Sequence, residues 1–376
     1  MNHHTVKPLA RTVMLLASLC CSAVDPIRAD DAKPTADAAR PLPDPSLLLI
    51  RDDVVRDELK LTTSQRERVD ALLKAHNRLL LAIRDVGPNG ADETAQPAIA
   101  EIRADLKEIF TNEQKFRLQG LILQAQGYDA LLRKDIVAKL KITPEQQTKL
   151  TAIAAETRDQ VQALNQDRAA HSPEELKQEL AQIQADRLKK IVAELDDQQE
   201  LTYGRLLGKE FDFAKVKPSP GMAPEFASID AWINSEPVTI ESLRGKVVVV
   251  HFFAFGCINC IHNYPWYKEW HDAYQGKDVA LIGIHTPETK TEEDNSLLEA
   301  SLEKNGLKFP VAVDKEKTMW KAWYNNMWPS VYIIDKQGRL RFWWYGELDW
   351  EGAGNQKVAR QQIDQLLAEE YGEKGK

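Results

Sequence analysis

Cys257 and Cys260 stand in a Cys-Ile-Asn-Cys run, in a chain of 376 residues with only four cysteines. A thiol at the start of a helix meets unpaired backbone N–H groups and the positive end of the helix dipole, and both stabilise its thiolate. A second thiol one turn along is within reach of a disulfide with the first. Structural disulfides normally close longer loops than this, because the entropy removed from the unfolded chain grows with loop length. The spacing therefore points to a redox pair, not a staple. The other two cysteines, Cys20 and Cys21, are adjacent and lie in an apolar N-terminal stretch.

The pair needs a strand before it and a helix after it. Val247-Val248-Val249-Val250-His251-Phe252-Phe253 is rich in β-formers and too short to span a membrane, so it reads as a buried strand. Alternation places Val247, Val249, His251 and Phe253 on one face. Residues 261–274 carry aromatic and apolar side chains at helical spacing. An extended run at 237–240 precedes the strand, and further strand signals follow at 279–284, 309–313, 330–335 and 340–344. Helical stretches at 292–305, 316–325 and 356–371 alternate with them. This order predicts an α/β sheet with helices on both faces, closing in an antiparallel pair around Lys336-Gln337-Gly338.

Composition fits a soluble globular protein, with 43% apolar and 28% charged residues, and the length suggests two domains. The net charge of −8, with no basic stripe, argues against nucleic acid as a partner. The N-terminus reads as an export signal, residues 1–23: Lys7 and Arg11 are basic, an apolar stretch follows, and Cys21-Ser22-Ala23 offers a cleavage site. A second cut could follow Ala29. Leu19 before Cys20 disfavours a lipoprotein anchor, so simple export, to the periplasm, is the expectation.

Residues 24–45, with five prolines, read as a disordered lead-in. From 46 to 213 the chain is rich in Leu, Ala, Gln, Lys and Glu at helical period, and all nine Trp residues lie beyond it. A Pro-rich linker at 214–225 then leads to the α/β domain, 226–376. The helical part repeats. Leu61-Thr62-Thr63-Ser64-Gln65 echoes Ile142-Thr143-Pro144-Glu145-Gln146, and Phe110-Thr111-Asn112-Glu113-Gln114 echoes Leu195-Asp196-Asp197-Gln198-Gln199. Each is a capping box, in which a Thr or Asp side chain accepts a first-turn N–H and the Gln reaches back. Four helix starts in two related units predict an antiparallel helical array, with 86–97 an exposed loop. These boxes resemble the LTxxQ signature of the Spy and CpxP group of extracytoplasmic helical stress proteins. That resemblance implies a domain that binds a protein partner. The local reading is a spacer or a self-association element, since capping boxes have a purely local stability role.

The second half resembles the thioredoxin superfamily, in particular its extracytoplasmic TlpA-like branch and the C-terminal domains of DipZ-type proteins. The resemblance covers 222–371 and rests on Pro224-Glu225-Phe226, Arg244-Gly245-Lys246-Val247-Val248, Cys257-Ile258-Asn259-Cys260 and Ile282-Gly283-Ile284-His285-Thr286-Pro287-Glu288. It continues through Trp328-Pro329-Ser330-Val331-Tyr332-Ile333-Ile334-Asp335 and Tyr345-Gly346-Glu347. It implies a helix-kinking role for Pro265 and a cis peptide bond before Pro329, facing the dithiol. The backbone before that proline would pair with a substrate peptide, and Trp328 beside it is the best candidate for substrate contact. His251 departs from the family, which often places a buried acid there. A neutral His251 could relay the proton of Cys260, or could be an idle core histidine. Asn263 stands where some TlpA-like proteins have a glutamate, and Glu288 could supply a carboxylate instead. His262 and His285 lie near the thiols, but no convincing ligand set accompanies them, so neither metal nor other cofactor is expected.

The implied activity is thiol–disulfide exchange with protein thiols and disulfides, catalysed by Cys257 and Cys260. The resemblance favours a reductase fed by a membrane electron donor over an oxidase. A reading of a different class makes the helical domain the main functional part, a client-binding or scaffold module. Peroxide chemistry fits the cysteine spacing less well.

Overall fold

The computed structural model describes residues 45–82, 84, 95–167, 171–217 and 219–371. The export signal at 1–23, the lead-in up to residue 44 and most of the 86–97 loop lie outside the described residues. The chain divides into two compact units, one drawn from 1–73 and 86–218 and the other from 74–85 and 219–376.

In the helical unit, the chain turns into helices Asn112–Gln126, Pro144–Gln166 and Asp197–Leu207 through reciprocal capping boxes at Thr111, Thr143 and Asp196. Thr62 makes the same two bonds with Gln65 at the start of Thr63–Ala75. The boxes do more than end helices. Gln65 and Gln114 donate to each other's side-chain oxygens at 2.8 and 3.1 Å, and Gln146 and Gln199 do the same at 2.8 and 3.0 Å. Each pair joins two helix starts, and Gln65 and Gln146 also donate to the last-turn carbonyls of Ile109 and Glu194. Pro144–Gln166 and Pro173–Glu194 thus form an antiparallel hairpin. Its base closes on a core of Leu123, Leu131, Ile136, Leu150, Ile191 and Tyr203.

The second unit is a six-stranded sheet. Its strands are β1 (Ala231–Ile233), β2 (Val247–Phe253), β3 (Val279–His285), β4 (Val311–Val313), β5 (Ser330–Ile334) and β6 (Leu340–Tyr345), in the order β1-β4-β3-β2-β5-β6. β2, β3 and β4 run parallel, while β5 and β6 are antiparallel to their neighbours. All seven residues of β2 are buried because both sheet faces are covered. Val247, Val249 and Phe253 pack with Tyr264, Tyr267, Trp270, Leu298 and Ile363 from the flanking helices. Val248, Val250 and Phe252 face Met319, Trp323 and Tyr332 on the other side. This central-strand burial is what a continuous apolar run signals.

Two local readings need correction. Residues 237–240 form no strand. The Glu225 carboxylate accepts from the N–H groups of Ile240 and Glu241, and Thr239 and Ser242 cap each other, so the segment closes as a turn. The edge strand is instead β1, paired antiparallel with β4. Residues 74–85, expected within the helical domain, group with the sheet. There Leu81 enters the core beside Phe226 and Trp323, and the Asn77 amide both donates to and accepts from the Met222 backbone. Arg84 donates to the hydroxyls of Tyr345 (2.6 Å) and Tyr332 (3.1 Å).

Candidate active site

Cys257 is the N-cap of helix Ile258–Ala273, at the end of the turn that leaves β2. Its N–H donates to Ala254 O, and its own carbonyl accepts from Cys260 and Ile261. That places both sulfurs on the first turn, Cys257 half-buried and Cys260 fully buried, each a free thiol. The asymmetry sets their acidity. The hydrogen bond from the Cys260 thiol, aided by the Cys260 and Asn259 N–H groups, outweighs burial and the Glu288 carboxylate and lowers the Cys257 pKa to about 7. Burial, then the bond given to Cys257, pushes the Cys260 thiol far up. A thiol lowered in this way can act as a nucleophile near neutral pH, while a raised, buried one keeps its proton.

The Trp328–Pro329 peptide bond is cis. Trp328 is half-buried against the same apolar cluster that Cys257 and Ile261 border. Its indole N–H donates to Thr286 O at 3.1 Å and its ring stacks on Trp320 at 3.9 Å. Asn263 joins this region to the dithiol helix. Its oxygen accepts from Leu348 N–H at 2.8 Å, and its amide donates to Gly346 O, while Gly346 N–H donates to Pro329 O. Pro265 lies inside the helix, at the place the resemblance implies.

His251 projects from β2 to the helix side of the sheet, fully buried, with its ring stacked on Tyr267 at 4.1 Å. Gly283 on the neighbouring strand leaves room for it, since a Cβ there would lie 3.1 Å from the ring. Burial lowers its pKa to about 3, so the ring is neutral near pH 7. Tyr267 in turn accepts from the Asn263 amide. Two other histidines are engaged elsewhere: His262 pairs with Glu347 at 3.0 Å, and the buried His285 meets Glu292 O at 2.8 Å. Among the described residues no cluster of three or more His, Cys, Asp or Glu side chains could hold a metal ion.

Sequence reasoning missed Glu292. This buried carboxylate accepts from the N–H groups of Gly256, Glu288 and Thr289 and from the Thr289 hydroxyl. The signal was there, because Thr289 and Glu292 form a capping-box pair in a short 3₁₀ turn.

Residues 221–343 match the AhpC/TSA family. The C-terminal unit is a thioredoxin-like domain. DipZ of Mycobacterium bovis and of Mycobacterium tuberculosis are each 35% identical over 159 residues, which is 42% of this chain and 22% of DipZ. The chain thus spans about a fifth of these relatives' length. The thiol-disulfide oxidoreductase YkuV of Bacillus subtilis is 29% identical over 147 residues, covering 39% of this chain and 94% of YkuV. The crystal structure of a thiol-disulfide isomerase from Corynebacterium glutamicum is 30% identical, covers 39% of this chain and 98% of its own, and superposes with a TM-score of 0.35. In all of these the similarity falls within part of the chain, as does the thioredoxin-like domain itself. Among the described residues no helix is long and apolar enough to cross a membrane.

Proposed function

We propose that the protein is an extracytoplasmic thiol–disulfide oxidoreductase acting on protein disulfides through Cys257 and Cys260. The observation that carries this reading is two free thiols on one helix turn, Cys257 half-buried at the N-cap and Cys260 fully buried behind it, an arrangement that lowers the first and raises the second. The Cys257 thiolate attacks a substrate disulfide, forming a mixed disulfide as one substrate sulfur leaves as thiolate. Cys260 then loses its proton and attacks Cys257, releasing the second substrate sulfur. The substrate gains two electrons and two protons, and the domain keeps the Cys257–Cys260 disulfide. A membrane electron donor would reduce it again.

The reductive direction is supported by how modestly Cys257 is acidified. A strongly depressed nucleophile stabilises the reduced form and makes an oxidant, whereas a value near 7 is the range of thioredoxin. Trp328 and the backbone before Pro329 would seat the substrate peptide, as an added strand does on a free edge. We assign His251 to proton relay on its placement: it lies on the sheet face that Cys260 covers, and both of its buried ring nitrogens lack a hydrogen-bond partner among the described residues. An unchanged pH dependence of exchange in His251→Ala would remove that role. The assay for the main reading is reduction of a peptide disulfide with dithiothreitol as recharging reductant. The native protein should turn over and Cys257→Ala should not; full activity in Cys257→Ala would sink the reading.

A second reading concerns the helical unit. Phe116 and Leu201 each follow their box residues, Thr111 and Asp196, by five positions, and both side chains are more than half exposed. Matching exposed apolar residues on two repeats support a surface that holds a protein client or a second copy. Suppression of client aggregation, lost in the Phe116→Ser, Leu201→Ser double variant but indifferent to thiol state, would support it. Equal suppression by that variant would contradict it.

A further inference from the structure

The residue before the nucleophile and the residue before the cis proline are tied to one loop. Gly256 N–H donates to Glu292 Oε1 at 2.8 Å, while Trp328 donates to the carbonyl of Thr286. Residues 286–292 are themselves closed by Glu292. Its Oε2 accepts from Glu288 N–H (2.8 Å), Thr289 N–H (2.7 Å) and the Thr289 hydroxyl (3.1 Å), and its carbonyl meets His285 Nε2. The loop is pinned at its other end as well, where Thr286 donates its N–H to Phe253 O and its hydroxyl to Asp314. Glu292 is 5% exposed, an expensive place for a carboxylate without such donors. Burial pushes its pKa up, but the N–H groups of Thr289, Gly256 and Glu288 outweigh it, and the net shift is downward. Gly256 is shaped for this contact, since a Cβ there would lie 2.8 Å from Glu292 Oε1.

We infer that Glu292 is a positioning residue for the exchange reaction: through Gly256 it fixes the Cys257 turn against the loop that also holds Trp328, and so sets the gap a substrate disulfide must fit. This rests on the thiol-exchange reading. A peptide disulfide has to meet both the sulfur and the Pro329 side in one pose, whereas a small alkylating agent needs only the sulfur. Removing the anchor should therefore separate two reactivities that a general loss of structure would lower together.

The test compares Glu292→Gln and Glu292→Ala with the native protein. In Glu292→Gln, the amide group turns a donor toward N–H groups that need an acceptor. The inference predicts that kcat/KM for a peptide disulfide falls by about 10- to 100-fold, the scale at which small misplacements act. The pH-independent rate of iodoacetamide alkylation at Cys257 should stay within about twofold, with near-UV circular dichroism unchanged. Gly256→Ala, which crowds the same contact from the other side, should show the same split and decides the matter where a Glu292 variant does not fold. Native-like kcat/KM in the folded variants, or equal losses in both reactivities, would overturn it. Absence of exchange in the native protein would overturn the reading beneath it instead, which keeps the two failures distinct.

Discussion

Gln146 and Gln199 hold each other by both amides, each donating to the other's oxygen while each also closes its own capping box. Two helix starts 53 residues apart are thereby joined, and Gln65 and Gln114 repeat the arrangement. A motif whose local purpose is to cap one helix has become the joint between helices. Its third and fourth hydrogen bonds are tertiary.

Loss of either glutamine should therefore cost more than loss of a cap. Gln199→Ala leaves the Gln146 amide, the Leu140 carbonyl and the Asp196 N–H each short of a partner. Denaturant unfolding should show a loss of about 2–3 kcal/mol. The Gln146→Ala, Gln199→Ala double variant should lose clearly less than the two singles added together, because the second change finds its partner already gone. Strict additivity would show that the amides act as separate caps.

The acidity of Cys257 depends first on the Cys260 thiol. The rate of iodoacetamide alkylation against pH should have its midpoint at about 7. In Cys260→Ala the midpoint should move up, toward the ordinary thiol range, because the leading stabiliser of the thiolate is gone. A midpoint that stays in place would assign the effect to the helix terminus alone.

His251 should govern acid stability. Its pKa falls from 6.5 to about 3 on folding, so between those values the unfolded chain binds a proton that the native state refuses. Stability is complete above pH 6.5 and drains away as pH falls toward 3, by up to about 1.4 kcal/mol per pH unit from this one group. His251→Leu should flatten that slope in urea titrations at pH 7, 6, 5 and 4. Parallel curves for the two proteins would mean that the ring takes up its proton while folded.

Much of the site can be read from the chain because it is local. The valine run, the CxxC and the helical spacing after it fix the strand, turn and helix within thirty residues, and the alternation of β2 places His251 on the helix side. What lies far apart is harder. Glu292 reads as the first residue of a polar helix, and although its box with Thr289 is visible in the sequence, nothing near it announces that Gly256 needs an acceptor. Residues 74–85 carry a helical pattern like their neighbours, and it is Leu81, Asn77, Arg78 and Arg84, through partners more than 140 positions away, that join them to the sheet. The run at 237–240 failed for a further reason. Val and Ile in it signal a strand, but the N–H groups of Ile240 and Glu241 go to Glu225 and that of Thr239 goes to Ser242.

Asn263 occupies a place where an acid would bring charge beside the thiols, and it brings hydrogen bonds instead. Asn263→Ala removes the partners of Leu348 N–H and Gly346 O, at a stability cost of about 1–3 kcal/mol. The Cys257 alkylation midpoint should not move, since a neutral group is lost. Asn263→Asp should raise that midpoint by adding a like charge. A lowered midpoint in Asn263→Asp would contradict this placement of the side chain.

The central claim is that Cys257 attacks and Cys260 resolves. Cys260→Ser should stall the reaction with a peptide disulfide at the mixed disulfide, seen by mass spectrometry as a single adduct on Cys257 that dithiothreitol releases. The native protein should show no lasting adduct. An unmodified Cys257 in Cys260→Ser, or a native protein that accumulates the same adduct, would contradict the account.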